Sequence, residues 1–159
     1  NNELRKTAEK IHEAMERLVP IIIRGAVQGA DASLSPIISM PLHKGDKSFM
    51  SDKQFEKFYW PTWKQVMLGL YEEGIISYLF IEGSYNNRLE NLAEMPEKSL
   101  VCHFDQTEMG PVKEVLSDKF IIAGNVPASL MATGTTDEVR AYCDNFAFTR
   151  WNIQRVDLP

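Results

Sequence analysis

Cysteine is scarce in this chain: Cys102 and Cys143 are the only two among 159 residues. Two thiols so far apart supply neither a disulfide framework nor a four-thiolate zinc site. Both are expected to be reduced thiols in the core, which places the protein in a reducing, cytoplasmic compartment. Long apolar runs are missing too. Stretches such as residues 19–23 and 120–123 fall far short of the roughly 20 residues that span a bilayer, so no membrane segment is expected. Blocks of like charge are also absent. The 22 acidic and 17 basic residues are spread along the chain, for a net charge of −5 and a pI near 5.2. Nucleic-acid binding needs a clustered basic surface and is not expected. The start, Asn1 to Lys6, has no initiator methionine and no signal-like apolar stretch, so the native protein is expected to begin upstream. No Gly-x-Gly-x-x-Gly or Walker pattern, Gly-x-Ser-x-Gly elbow or Cys-x-x-Cys pair occurs. Dinucleotide, triphosphate and serine-hydrolase chemistry therefore lose their usual support.

What remains is a chain that is 44% apolar, enough for the core of one ordinary domain. Leu4, Ala8, Ile11, Met15 and Leu18 recur at spacings of four and three and predict an amphipathic helix. Pro20, which lacks a backbone donor, is expected to kink or interrupt it. Residues 21–30 continue helical, with Gly25 and Gly29 permitting close packing against a neighbour. Ile37-Ile38-Ser39-Met40, stopped by Pro41, is the first candidate strand, and a loop runs on through Asp46. Ser51 and Gln54 have capping-box spacing and open a short helix. Pro61 suits the first turn of the next, whose apolar face carries Trp63, Val66, Met67 and Leu70, with Gly74 as its left-handed stop. Residues 75–81 are almost continuously apolar, as befits a parallel strand buried on both faces. Leu89, Leu92 and Ala93 mark a helix; Leu100 to Phe104 a strand; Val112, Val115 and Leu116 a helix; Phe120 to Ala123 a strand. Thr135 and Glu138 form a second capping box that opens a helix through about Phe146. Strands alternating with helices predict right-handed βαβ units and a parallel α/β sheet of about four strands with flanking helices.

In parallel β/α folds ligands sit at the carboxyl ends of the strands. That rule selects His43, Lys44, Glu82, Asp105, Gln106, Thr107, Glu108 and Asn125. Glu82, between a buried strand and Gly83, suits a general acid or base or a polar anchor. Its plainer role is to cap the next helix or pair with Arg88. Asp105 stands in a cluster suited to holding a ligand amide or polarising a proton, or else it is an ordinary helix N-cap. Asn125 offers an amide that both donates and accepts, or serves a structural turn. His103 and Cys102, as strand neighbours, point to opposite faces and cannot readily share a metal, so His103 is expected to be a satisfied core residue. His12 is expected on a solvated helix surface, while His43 stays open.

Three stretches carry a likeness. They are Phe49 to Pro61; Phe80-Ile81-Glu82-Gly83; and Ile122-Ala123-Gly124-Asn125-Val126-Pro127 followed by Gly134-Thr135-Thr136-Asp137-Glu138-Val139. Over residues 29–142 the chain resembles the C-terminal part of the uroporphyrinogen decarboxylase superfamily, which includes cobalamin-dependent methyltransferases. The resemblance implies a (β/α)8 TIM-type barrel, catalytic at its C-terminal face. A full barrel needs about 200 or more residues, so residues 1–159 make a single incomplete domain, and the isolated fragment is expected to be inactive. Zinc-dependent members carry His-x-Cys-Gly where this chain has Phe80-Ile81-Glu82-Gly83, which argues against zinc activation; no metal and no covalently bound cofactor is expected. The Phe-x-Glu-Gly form looks more like members found beside corrinoid-dependent demethylases. It implies a methyltransferase handling a corrinoid or tetrahydrofolate carrier, with Glu82 and Asp105 catalytic and Asn125, Gln106 and His43 binding the cofactor. A corrinoid protein is a possible partner. The alternative within the family is porphyrinogen decarboxylation in haem biosynthesis, with a tetrapyrrole ligand. That chemistry needs cations for the substrate carboxylates, and arginines near the strand ends are few. A third expectation is a non-catalytic module that self-associates through open sheet edges.

Overall fold

The computed structural model describes residues 7–147, with side chains through Asp144. Helix α1 runs Ala8–Ser33 and is followed by strand β1, Ile37–Pro41. A continuous helical stretch then comprises α2 (Asp52–Gln54), a π-helical turn (Phe55–Tyr59) and α3 (Trp60–Glu72). Next come β2 (Ile76–Ile81), α4 (Leu89–Ala93), β3 (Leu100–Phe104), α5 (Met109–Leu116) and β4 (Ile121–Ala123). Two helices close the series, α6 (Ala128–Thr133) and α7 (Thr136–Ala147). Among the described residues no helix is long and apolar enough to cross a membrane.

The four strands are parallel and lie in chain order, β1-β2-β3-β4. A right-handed crossover between neighbouring parallel strands puts its helix on one particular face. Because the order never reverses, every crossover falls on the same face. The burial pattern follows directly. On the covered face Met40, Leu79, Cys102 and Ile122 lie side by side in register and are all buried. On the other face Tyr78, Phe80, Val101 and His103 are half-buried, and Ile37 and Ile121 are exposed at 45% and 49%. This corrects the expectation that the strand at 75–81 is buried on both sides; its residues alternate, with Ser77, Leu79 and Ile81 inward.

Both capping boxes are present. Ser51 Oγ accepts from Gln54 N–H while Gln54 reaches back, and Thr135 and Glu138 exchange the same pair of bonds. Gly74 adopts φ +75 at the end of α3, the left-handed stop its position predicts. Pro20, by contrast, does not interrupt α1, which runs unbroken for 26 residues. Pro20 and Glu16 face solvent, so water can take the carbonyl bond that proline's missing N–H forfeits. Gly25 and Gly29 are not points of close approach either: nothing lies within 4 Å of a Cβ at Gly25, and only Ile38 at 4.0 Å for Gly29. The helices meet instead at Gly69 of α3, where a Cβ would collide with Ile23 of α1. The buried stripe of α1 is Val19 and Ala30 with Ile23, Ala26 and Val27 partly covered; Leu18 is exposed, and Leu4 lies outside the described residues. Helix α6 has no counterpart in the sequence expectation. Cys102 is fully buried, which pushes its thiol pKa up, but Cys143 is exposed on α7 rather than in the core.

Candidate functional site

Each strand hands its last residues to the same edge of the sheet. Pro41 pairs with Phe80, Ile81 with Phe104, and His103 with Ala123. Backbone bonds carry the register one step further: Leu42 N–H donates to Phe80 O at 2.8 Å and Asp105 N–H to Ile81 O at 3.2 Å. His43, Glu82 and Asp105 thus stand abreast on neighbouring strand ends, spaced about 4.8 Å from strand to strand. All three continue the side-chain parity of the open face. Asn125 completes the row after β4, past the cis peptide bond Gly124–Asn125.

Contacts knit the row together. His43 Nδ1 lies 2.6 Å from Glu82 Oε2, with both side chains about half exposed, at 50% and 52%. Glu82 therefore neither caps a helix nor pairs with Arg88. Asp105 Oδ2 accepts from Gly83 N–H at 3.2 Å, so it ties β3 to the turn after β2 instead of capping α5, whose N-cap position is Glu108. Gln106 N–H donates to Gly83 O at 3.2 Å while its side chain stays exposed. Asn125 Nδ2 donates to Thr107 O at 2.6 Å, and its own O and Oδ1 accept from Tyr142 Oη at 3.0 and 3.1 Å. Thr107 is buried and takes Tyr85 N–H at 3.0 Å; Glu108 exchanges two bonds with Asn86. These two residues brace loops and belong to the scaffold.

The loop after β1 is held in place by Arg88, which the sequence suggests only as a partner for Glu82, and by two tyrosines that it does not single out. Arg88 is 1% exposed, donates to the carbonyls of Gly45 and Met50, pairs with Asp52 at 2.9 Å and stacks 4.0 Å from the Phe55 ring. Tyr85 Oη donates to Leu42 O and Tyr59 Oη to His43 O. Burial raises the pKa of Tyr85 well above the ordinary phenol range and pushes Tyr59 up to about 12. Both phenols thus stay protonated donors at neutral pH. Asp46 accepts from Ser48 Oγ and from Phe49 N–H, and the Ser48 bond first, then those backbone bonds, hold its carboxyl below the usual range against the effect of burial. Gly83, at φ +80, is the only residue type that fits here, because a Cβ would strike Asp46. Lys44, beside His43, takes a positive φ of 66 despite its side chain, and its Nζ sits 4.9 Å above the Phe49 ring.

One level below the row, still on the open face, Tyr78 Oη and His103 Nδ1 are 2.7 Å apart. The His103 ring also packs edge-on against Phe80, and a Cβ at Gly124 would come within 3.2 Å of its Cδ2. His103 is therefore satisfied, as its strand position suggests, yet it faces the uncovered side below Glu82 and Asp105 instead of the helical core. The parity signal was present: residues 101, 103 and 105 alternate onto one face. His12 stacks on Phe58 at 4.9 Å and is half-buried, so it is a packing residue and not part of a solvated surface. Among the described residues no three His, Cys, Asp or Glu side chains gather as a metal would need. Two carboxylates, two imidazoles, a phenol and a carboxamide on one face can exchange protons and hydrogen-bond a flat polar ligand. Comparison with protein-family models, curated proteins and solved structures gives no match.

Proposed function

We propose that the chain is the C-terminal part of a (β/α)8-barrel enzyme of the uroporphyrinogen decarboxylase type. In this reading it works in the cytoplasm and moves a methyl group to or from a tetrahydrofolate or corrinoid carrier. The observation that carries the proposal is the row His43, Glu82, Asp105, Asn125 at one edge of a sheet whose strand order never reverses. An unreversed order with helices on one face is the winding of a barrel, and barrels act at the carboxyl ends of their strands.

The donor set suits the folate arm best. A pterin ring presents donors and acceptors along one flat edge, which a carboxylate and a carboxamide can match. Asp105 and Asn125, with the exposed Gln106, hold that edge, while Phe80 and Val101 offer an apolar floor beneath. A methyl group leaves a tertiary nitrogen readily only if that nitrogen takes up a proton. Glu82 delivers or holds that proton, and His43 orients Glu82 through the 2.6 Å contact. A corrinoid protein presenting its cofactor at this mouth is the natural partner for the second half of the transfer.

Porphyrinogen decarboxylation fits less well. It calls for cations to hold several carboxylates, and Arg88, in the loop after β2, is buried and committed to Gly45, Met50 and Asp52. Isothermal titration with methyltetrahydrofolate and, separately, with methylcobalamin tests the proposal. Saturable binding of at least one carrier is expected, weakened by about tenfold in Glu82→Gln if a charged contact is lost. A flat titration with both carriers, or binding indifferent to Glu82→Gln and Asp105→Asn, sinks it.

A further inference from the structure

The Tyr78–His103 pair uses only one of the two imidazole nitrogens. His103 stands one layer below Asp105 on β3, flanked in register by Phe80 on β2 and Ala123 on β4. A rise of about 3.3 Å per residue sets its Cα about 6.6 Å beneath that of Asp105, on the same face. Tyr78 Oη occupies the Nδ1 edge of the ring at 2.7 Å, and the Cδ2 edge lies toward Gly124, where a Cβ would stand 3.2 Å away. Nε2 adjoins Cδ2 in an imidazole, so it lies toward β4, where the neighbouring side chain is the small Ala123. Among the described residues Nε2 meets no hydrogen-bonding group. Ser77 Oγ is the one buried side-chain N or O atom without a partner there, so Nε2 is open to water. The pair also sets where the ring proton sits. A phenol that donates to Nδ1 leaves the proton of a neutral ring on Nε2, and a ring with two protons has one there in any case. With the reverse tautomer the Tyr78 hydroxyl proton would have no acceptor among the described residues. Nε2–H is therefore a fixed donor on the open face.

We propose that His103, held by Tyr78, is a specificity residue of the mouth, and that its Nε2–H donates to the ring carbonyl oxygen of a pterin. The inference rests on the folate arm of the function proposed above. On a pterin the carbonyl sits next to a ring N–H, and a carboxylate such as Asp105 takes that N–H. The oxygen beside it then needs a donor, and His103 is two residues from Asp105 on the same face. Ala123 leaves room for the ring to settle to this depth. An amino group in place of the carbonyl would set a donor against a donor and leave both unpaired, which a hydrogen-bonding site rejects. A pair that merely braced β2 against β3 would affect stability without telling the two rings apart.

Spectroscopy and titration together test this. In the uncomplexed protein, long-range proton–nitrogen correlation of the imidazoles should show His103 protonated at Nε2. A ring with its proton on Nδ1 alone overturns the inference before any ligand is added. Isothermal titration then compares folic acid with aminopterin, which carries an amino group in place of the ring carbonyl. The protein should prefer folic acid by about tenfold or more. His103→Leu should weaken folic acid and bring the two ligands within about threefold of each other. His103→Gln, whose amide can donate or accept, should keep folic acid and gain aminopterin. Circular dichroism checks that both variants fold, and if the leucine unsettles the sheet the glutamine exchange decides alone. A preference unchanged in these variants gives the carbonyl to another donor, Asn125 first, and overturns the inference while leaving the carrier reading intact. Binding of methylcobalamin with no binding of any pterin does the same. Flat titrations with both carriers end the reading and the inference together.

Discussion

The two faces of the sheet are built from the same strands yet answer to different demands. The helix-covered face is apolar and closed: Leu79, Ile81, Cys102 and Phe104 are all at 0% exposure. The opposite face mixes aromatic and aliphatic side chains with His43, Glu82, Asp105 and the Tyr78–His103 pair, and water reaches much of it. Stability of the single chain is thus concentrated on one side and chemical versatility on the other. Neighbouring residues such as Leu79 and Phe80 fall on opposite sides of that division.

Substitutions can break the contrast or sharpen it. Leu79→Ala on the closed face should cost about 3–5 kcal/mol, because surrounding helices cannot collapse into the space it leaves. Denaturant midpoints measure this, and a loss of less than about 1 kcal/mol would erase the distinction between faces. Arg88→Met should cost about 2–3 kcal/mol through orphaned carbonyls at Gly45 and Met50. It should also speed hydrogen exchange across residues 43–50 without touching the strands. Phe80→Ala should cost about 1–2 kcal/mol, less than Leu79→Ala, because its ring is only half-buried on the open face. Equal losses for Leu79→Ala and Phe80→Ala would mean that the two faces do not differ in packing.

Acid provides a gentler probe. The Asp46 carboxyl titrates below its ordinary value of 3.8, so the unfolded chain binds the proton more readily than the folded one. Its contribution is complete above pH 3.8 and disappears as pH falls through the lowered value. Asp46→Asn should therefore reduce stability by under about 1 kcal/mol at neutral pH, with the difference from the parent vanishing in acid. The smallest change is expected for His43→Ala. A half-exposed pair contributes within about 0.5 kcal/mol, so unfolding should barely shift even where carrier binding suffers.

Much of the frame is legible in the chain. Capping boxes, Gly74 and the apolar strands each obey local rules, and the strand-end rule alone aligns His43, Glu82, Asp105 and Asn125. Face assignment is less legible, because residues 75–81 are apolar enough to suit either one or two covered faces; strand order decides, and order is not written locally. The true role of Arg88 is hidden for a similar reason. Its partners are carbonyls 43 and 38 residues upstream, and a backbone acceptor leaves no trace in side-chain spelling. His103 was open to discovery, since its parity matches Asp105, but a histidine within a strand gives no hint of whether the covering layer exists. Cys143 lies on a helix whose apolar positions are sparse, so composition alone misplaces it.

Tyr142 has an effect that reaches beyond its own helix. Thr107 O can only accept, so it fixes the nitrogen end of the Asn125 carboxamide, and the oxygen end is then left to take the Tyr142 hydroxyl. With the head unable to rotate, one N–H and one lone pair are left to any visitor, in a single plane and in a set sequence. A molecule presenting acceptor and donor in the reverse sequence would meet two mismatches at once, which makes this corner a reader of ligand polarity.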